Sequence, residues 1–345
     1  MTAVRPDTDA AGDLAEVRDL VAPHLLATVR RLNPRMRRVV GYHCGWWDEH
    51  GTTLGADAGG KSVRPTLTVR SAEAVGAAAE QAVPAAVAVE LVHNFSLLHD
   101  DVMDGDRTRR HRPTAWSMFG VPEAILAGDA VLTLATEVLT TAYPAGLATE
   151  AVRRLSAAVL RLVDGQTADV AFERRTDVTL AECLEMAGAK TGALLGCACE
   201  LGALVAGAGA TRTGRLRQYG EHLGLAFQLV DDLLGIWGDP ATTGKPALAD
   251  LRTRKKSLPV VAALSAGNAD ADRLARLYLR AGPLVEADLP EVAELVDRAG
   301  GRRWATERAE VELGAALTCL RAADAEPVAA TRLVSLGRLL TRRDR

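Results

Sequence analysis

Apolar residues recur at three- and four-residue steps along almost the whole chain. Val87, Leu91, Leu98 and Val102 keep one helical face, and Leu155, Val159 and Leu162 keep another. No stretch alternates apolar and polar residues for long enough to read as a strand. The rhythm breaks at residues 52–65, 105–114, 141–146, 173–179, 206–214 and 238–250. Between the breaks lie segments of roughly 15 to 30 residues, ordinary to long for globular helices. No repeat or low-complexity linker interrupts them. Helices joined by short breaks, without a βαβ rhythm, predict an all-α protein folded as one large helical bundle. Residues 1–12 read as a flexible tail, and residues 13–345 as a single domain.

Composition sharpens this picture in three ways. The 345 residues are 48% hydrophobic but only 4% aromatic, so Ala, Leu and Val must build the core. The net charge of -3 gives no global attraction to nucleic acid or to an anionic membrane. No run of about 18 uninterrupted apolar residues appears, and the N-terminus lacks a signal pattern, so no membrane span is expected. Five scattered cysteines, none in a CxxC pair, suit a reducing cytoplasm. Cys197 and Cys199 fall in an apolar stretch and read as core.

The polar residues that do not suit a core carry the chemistry. In VELVHNFSLLHDDVMDGDRTRRHRPT (89–114), Asp100 and Asp104 are one helical turn apart, with Asp101 at the edge of their face. Like charges this close repel unless a hard cation neutralises them, and magnesium is held by one or two carboxylates plus substrate phosphates. A solvated helix end is the plainer alternative. A second apolar helix delivers Asp231 and Asp232, followed by Lys245, Asp250, Lys255 and Lys256. Two such arrangements are far more specific than one. Carboxylate pairs on separate helices can face each other across a bundle, with magnesium and diphosphate between them. Gly60, Lys61 and Arg64 surround a glycine turn with exposed amides, and Arg109 and Arg110 offer forks that match phosphate oxygens. Lys190 and Gln228 interrupt apolar runs and should point into a polar cavity.

In order, these segments resemble the trans-isoprenyl diphosphate synthase (polyprenyl synthetase) family. Gly59-Gly60-Lys61-Ser62-Val63-Arg64-Pro65 is similar to that family's GGKRxRP, and Asp100 to Asp104 to its first aspartate-rich motif, DDxxD. Arg109 to Thr114 resembles RRGxPT, Lys190-Thr191 the KT motif and Phe227-Gln228 the FQ motif. Asp231 onward, through GDPATTGKPALAD to Lys255, resembles the second aspartate-rich motif. Three positions depart: Gly235 stands for the third aspartate of the second motif, Ser62 for an arginine, and His111 for the glycine of RRG.

The resemblance implies an isoprenoid-synthase bundle around a central apolar cavity, homodimeric, in the cytoplasm. It implies magnesium, three ions bound with an allylic diphosphate and held by Asp100, Asp104 and Asp231, with Asp101 and Asp232 in support. Arg109, Lys190 and Lys245 would hold the allylic diphosphate. Gly60, Lys61, Arg64, His93 and Arg110 would take isopentenyl diphosphate, with Lys255 also on the substrate side. Thr191 and Gln228 would stabilise the allylic cation. Gln166 and Asp169 either lie near the allylic diphosphate or make a plain helix–helix hydrogen bond. His99 either orients the first aspartate or is a plain helix residue. Phe95, roughly 7.5 Å before Asp100 along the helix axis, would floor the tail pocket beside the small Ser96. That points to a short product, C20, with C15 the near alternative. Two competing readings are a non-catalytic partner subunit of such a synthase and a terpene cyclase. The segments around Lys61 and Arg109, and the scarcity of aromatics, argue against the cyclase.

Overall fold

The computed structural model describes residues 6–54, 60–239, 247–280, 282 and 284–342. The chain is all-α, as its periodicity predicts. Ten helices lead up to the second acidic segment: α1 (Pro6–Val29), α2 (Pro34–His43), α3 (Val63–Glu73), α4 (Ala79–Met103), α5 (Ala115–Phe119), α6 (Val121–Ala142), α7 (Ala145–Phe172), α8 (Leu180–Ala187), α9 (Ala193–Val205) and α10 (Ala210–Trp237). Among the described residues the strands are β1 (Thr108–Arg109) and β2 (Arg112–Pro113), antiparallel and two residues each. They are too short to leave an alternating signature. The helix from Pro6 takes in residues 6–12 of the expected tail as its opening turns.

The described residues fall into two compact units. The first comprises residues up to 157, with 197–217 and 320–335. Its centre is α4, which packs against α1, α3 and α6. Ala82, Ala85, Ala86, Val89, Leu91 and Leu98 are all essentially buried, on every side of the helix. A helix apolar all round belongs in an interior, and its many alanines let neighbours approach closely. One charged anchor joins α3 to α1: the buried Arg70 Nε donates to Asp13 at 2.8 Å. Burial pushes the Asp13 carboxyl up, and Arg70 works against that.

The second unit comprises residues 158–196, 218–319 and those from 336 on. A capping box opens α8: Thr179 accepts from the Glu182 amide while Glu182 reaches back to Thr179. One apolar cluster joins Ile236, Leu251, Val260, Leu274, Tyr278 and Val296; another joins Phe172, Cys183, Met186, Leu229 and Val261. Cys197 and Cys199 are buried, as expected of core residues.

Among the described residues, three helical stretches are long and apolar enough to cross a membrane by length and composition: Ala79–Met103, Val121–Ala142 and Leu180–Val205. No uninterrupted apolar run marks them in the sequence, because polar residues punctuate each one. For the first and third, 72% of the apolar window is buried inside the protein.

Candidate active site

The end of α4 holds the first aspartate pair, and its two members differ. Asp101 is buried (1% exposed). Its Oδ1 accepts from Arg109 Nε at 2.8 Å and lies 2.7 Å from Arg109 Nη2, while its buried Oδ2 has no hydrogen-bond partner. Burial raises the Asp101 carboxyl above the usual range, and Arg109 opposes the rise. Asp100 is half-buried and Asp104, at the helix end, is exposed. The Asp104 amide donates to the Asp100 carbonyl at 2.8 Å, so the one-turn spacing is realised. Arg109, expected on the allylic diphosphate, is thus engaged first by Asp101.

The hairpin that presents Arg109 and Arg110 turns through two residues with positive φ, Arg110 at 50° and His111 at 61°. A two-residue turn matched to strand twist needs this backbone at both positions, and glycine adopts it most readily. His111 accepts the conformation that a glycine would favour, so its departure from the family pattern leaves the turn intact. Arg112 fixes the hairpin to α2: its guanidinium lies 4.3 Å from the Tyr42 ring centroid and donates to the Tyr42 carbonyl, and Tyr42 Oη donates to the Pro113 carbonyl at 2.9 Å.

Within the same unit Gly60, Arg64, His93 and Arg110 come together. A Cβ on Gly60 would stand 2.9 Å from Arg110 Nη2, so glycine is what lets this guanidinium approach the backbone. Arg64, Glu90 and His93 keep part of their surface open yet sit deep among protein atoms. Burial lowers Arg64 to about 10, countered by Glu90; burial, with Arg64 and Arg110 nearby, holds His93 well below the usual range. Arg64 Nε is buried without a partner. Lys61 is exposed just before α3. A cleft lined by Tyr42, His43, Asp101, Arg109, Arg110 and Arg112 adjoins this cluster. Two members escaped the sequence reading. Glu90 lies one turn before His93, and a lone Glu in an apolar helix was the available signal. His43 gave none: it closes α2 in a polar-looking segment, and only the fold brings it beside Arg109 and Arg110. Burial and those cations lower it to about 3, so its imidazole is neutral, and its buried Nε2 has no partner.

The second pair repeats the division. Asp231 is exposed and Asp232 is buried (3%). Asp232 accepts from Gln228 Nε2 at 2.9 Å, from Lys255 Nζ at 3.2 Å and from the Leu258 amide at 3.0 Å. It is a structural anchor rather than a ligand facing outward. Because the Gln228 amide nitrogen serves Asp232, its oxygen faces Thr191, whose hydroxyl donates to it at 2.6 Å. Although burial opposes its charge, Asp232, Asp250, Asp169 and Asp231 hold Lys255 well above the usual lysine range. Lys190 and Thr191 sit in a single π-helical turn, Gly188–Gly192. Such turns recur at functional sites. Lys190 Nζ donates to Asp169 Oδ2 at 2.6 Å. A Cβ on Gly165 would lie 2.8 Å from the Lys190 Cα, so α7 meets this turn backbone to backbone. The neighbouring Gln166 is 6% exposed, and neither amide atom has a hydrogen-bond partner. Of the pair, Asp169 makes the plain hydrogen bond between helical segments, to Lys190, and Gln166 makes none. Asp239 lies past the end of α10 and does not continue its acidic face. Gly59 and Lys245 lie outside the described residues.

Phe95 is buried and meets the His99 ring edge-on, with centroids 4.8 Å apart. His99 Nε2 lies 3.0 Å from the Ile125 carbonyl and packs over Gly128, where a Cβ would collide with the ring. That makes His99 a wedge between α4 and α6. The hydroxyl of Ser96 donates to the His93 carbonyl at 2.9 Å.

The outward aspartates offer hard oxygen donors of the kind magnesium takes. Among the described residues no three acidic, His or Cys side chains converge into a ready-made metal cage.

Residues 52–296 match the polyprenyl synthetase family model. The chain is 51% identical over 294 residues to the (2E,6E)-farnesyl diphosphate synthase of Mycobacterium tuberculosis, covering 84% of this chain and 81% of that one. It is 44% identical over 322 residues to the geranylgeranyl diphosphate synthase of the same organism, covering 93% and 91%. A polyprenyl synthetase from Streptomyces coelicolor superposes with a TM-score of 0.90 at 49% identity, over 95% of this chain and 98% of that one. A geranylgeranyl pyrophosphate synthase from Corynebacterium glutamicum, solved with isoprenyl diphosphate and magnesium, superposes at 0.77 with 25% identity over 99% and 100%. With its motifs in order, its helices in place and relatives of this closeness, the chain belongs to the polyprenyl synthetase family as a short-chain trans-prenyltransferase.

Proposed function

We propose that the chain condenses isopentenyl diphosphate with an allylic diphosphate, magnesium-dependently, to an all-trans C20 diphosphate. One observation carries this reading. A single helix, α4, brings His93 to a cluster with Arg64 and Arg110, and two turns later carries Asp100. At about 1.5 Å per residue the two lie roughly 10 Å apart along the axis. A cation cluster and an acidic face on one helix suit two diphosphates, one bound directly and one through metal. A cyclase needs only the second.

The chemistry follows from the residues. Magnesium held by Asp100, Asp104 and Asp231 would neutralise the charge that grows on the departing diphosphate. Arg64, His93 and Arg110, with Lys61, would hold isopentenyl diphosphate so that its double bond meets C1 of the allylic partner. The C–O bond of the allylic diphosphate breaks, and its electron pair leaves with the diphosphate. The double bond of isopentenyl diphosphate supplies the pair for the new C–C bond. The resulting tertiary cation loses a proton to the released diphosphate. Thr191, oriented by Gln228 and through it by Asp232, presents lone pairs to the cationic carbon. An apolar tail pocket would exclude the water that otherwise captures the cation. Lys190, paired with Asp169, and Lys255 would bear on the allylic diphosphate. Phe95 would floor the tail pocket and stop growth at C20. The family resemblance further supports a homodimer acting in the cytoplasm.

The purified chain, given magnesium, isopentenyl diphosphate and C5, C10 or C15 starters, should yield a C20 diphosphate from each by mass analysis. Accumulation of C15 would correct the length; no product from the isolated chain would instead make it a partner subunit. Phe95→Ala should lengthen the product by one or more C5 units, and an unchanged product would remove Phe95 as the floor.

A further inference from the structure

The turn that presents Arg109 and Arg110 carries a strain that its own residues do not relieve. A two-residue hairpin turn matched to strand twist needs positive φ at both central positions. Neither is glycine here: Arg110 stands at 50° and His111 at 61°. Residues with a Cβ adopt this backbone at a cost, and they persist in it only where their surroundings hold them. The strands on either side are two residues each, so their ladder offers little hold. The hold comes from Arg112, directly after the turn, and from Tyr42 at the end of α2.

Four contacts make it up. Arg112 Nη1 donates to the Tyr42 carbonyl at 3.2 Å, and Nη2 donates to the Trp47 carbonyl at 3.2 Å. The guanidinium lies 4.3 Å from the Tyr42 ring centroid, and Tyr42 Oη donates back to the Pro113 carbonyl at 2.9 Å. Tyr42 is itself fixed: it is 3% exposed, and its ring meets Phe119 edge-on with centroids 5.1 Å apart. One guanidinium thus ties the hairpin of Arg109 and Arg110 both to α2 and to the segment that follows α2.

We propose that Arg112 and Tyr42 form a latch that holds the non-glycine turn in its left-handed backbone and so places Arg110 for isopentenyl diphosphate. The family pattern has glycine at position 111, which takes this backbone unaided. Histidine there makes the latch necessary. Arg112 is a positioning residue that acts through Arg110. The inference rests on the proposed reading of Arg110 as a ligand of isopentenyl diphosphate and names what places it.

A double-variant cycle on the full chain tests it, with KM for isopentenyl diphosphate and kcat as readouts. Arg112→Ala should raise that KM about 10- to 100-fold, the scale of loss when a group shifts by about 1 Å, with kcat close to the parent's. A variant that merely folds poorly would instead lose kcat through a smaller active fraction and keep its KM. His111→Gly alone should change KM little. Placed in Arg112→Ala it should recover about tenfold, the equilibrium equivalent of relieving one left-handed residue. Arg112→Lys should resemble Arg112→Ala, since an ammonium has neither the fork for two carbonyls nor the flat face for the ring. The proposal is overturned if Arg112→Ala keeps the parental KM or if His111→Gly brings no recovery. It is equally overturned if Arg112→Lys matches the parent, which would make Arg112 a direct cationic contact to the diphosphate. Hydrogen exchange of the Thr114 amide, which donates to the Arg107 carbonyl at 3.0 Å, reads the latch without substrate. Arg112→Ala should speed it about tenfold, and His111→Gly should slow it again; an unchanged rate would overturn the latch. Failure of the underlying reading looks different: the exchange pattern would hold, yet Arg110→Ala would leave the KM for isopentenyl diphosphate unmoved.

Discussion

Asp100–Asp101 at the end of α4 and Asp231–Asp232 near the end of α10 share a division of labour and differ in its execution. In each pair the second aspartate is buried on a cation from downstream, Arg109 or Lys255, and the first is left more open. The third carboxylate separates them. α4 supplies its own, Asp104, whereas at α10 the position is glycine and the Asp250 carboxylate lies against it. The anchoring also differs. Asp101 has Arg109 alone on one oxygen and no hydrogen bond on the other. Asp232 has Gln228, Lys255 and the Leu258 amide.

The comparison breaks first if the outward aspartates are not equivalent. Asp100→Ala and Asp231→Ala should each lower kcat by about 10²- to 10³-fold, the usual cost of losing one contact to a developing charge. If both serve one diphosphate, the double variant should lose far less than the product of the single losses, because residues acting as a unit are not additive. Steady-state kinetics of the two single variants and the double one decide this. Full multiplicative loss would mean that the two pairs act separately.

The anchors come next. Arg109→Ala leaves a buried carboxylate with no hydrogen bond at all, and should destabilise the fold by about 3 kcal/mol. Lys255→Ala should cost less, about 1–2 kcal/mol, because Asp232 keeps two hydrogen bonds. Both cations are about a third exposed, which tempers each figure. Urea unfolding of the two variants checks the order; an inverted order would mean that Asp250, not Asp232, is the residue Lys255 chiefly serves.

A third difference is in the partners of a histidine. His43 faces Arg109 and Arg110 in the first unit, whereas His222 in the second lies 2.7 Å from Glu312. The folded His43 stays neutral down to about pH 3, while the unfolded histidine takes up a proton below about 6.5. The unfolded state then binds more protons, so stability is full above pH 6.5 and is lost as pH falls towards 3. His43→Gln should flatten that decline by up to one proton, about 1.4 kcal/mol per pH unit. Urea unfolding between pH 5 and 8 measures it, and an unchanged slope would show that His43 is not held neutral.

The helical architecture was legible because apolar residues recur at three- and four-residue steps between short breaks, as along residues 87–102 and 155–162, and the aspartate pairs stood out as charge on apolar helices. Which aspartate of each pair is buried was not legible. That depends on Arg109 reaching back from a two-residue hairpin and on Lys255 returning after 23 residues, and neither contact leaves a periodic trace. The π turn at Gly188–Gly192 is equally silent, since one extra residue in a helical turn does not disturb composition. In the sequence Gly235 shows only as a missing third aspartate. The carboxylate beside it belongs to a segment fifteen residues on, and only the fold brings it there.

The smallest change gives the closest comparison. Asp104→Gly makes the first motif match the second in composition while leaving the fold nearly untouched, since Asp104 is exposed at a helix end, where glycine is well accommodated. At α10 the position is glycine, with the Asp250 side chain packed against it. At α4 the third carboxylate belongs to the helix itself, and removing it should raise the allylic KM and the magnesium requirement about tenfold. The melting temperature without ligand should stay within a degree or two. If Asp104→Gly has parental kinetics, a third carboxylate is dispensable in the first region. A tenfold loss at position 104, beside full activity with glycine at 235, would show that the two regions differ in their need for a third carboxylate on the helix.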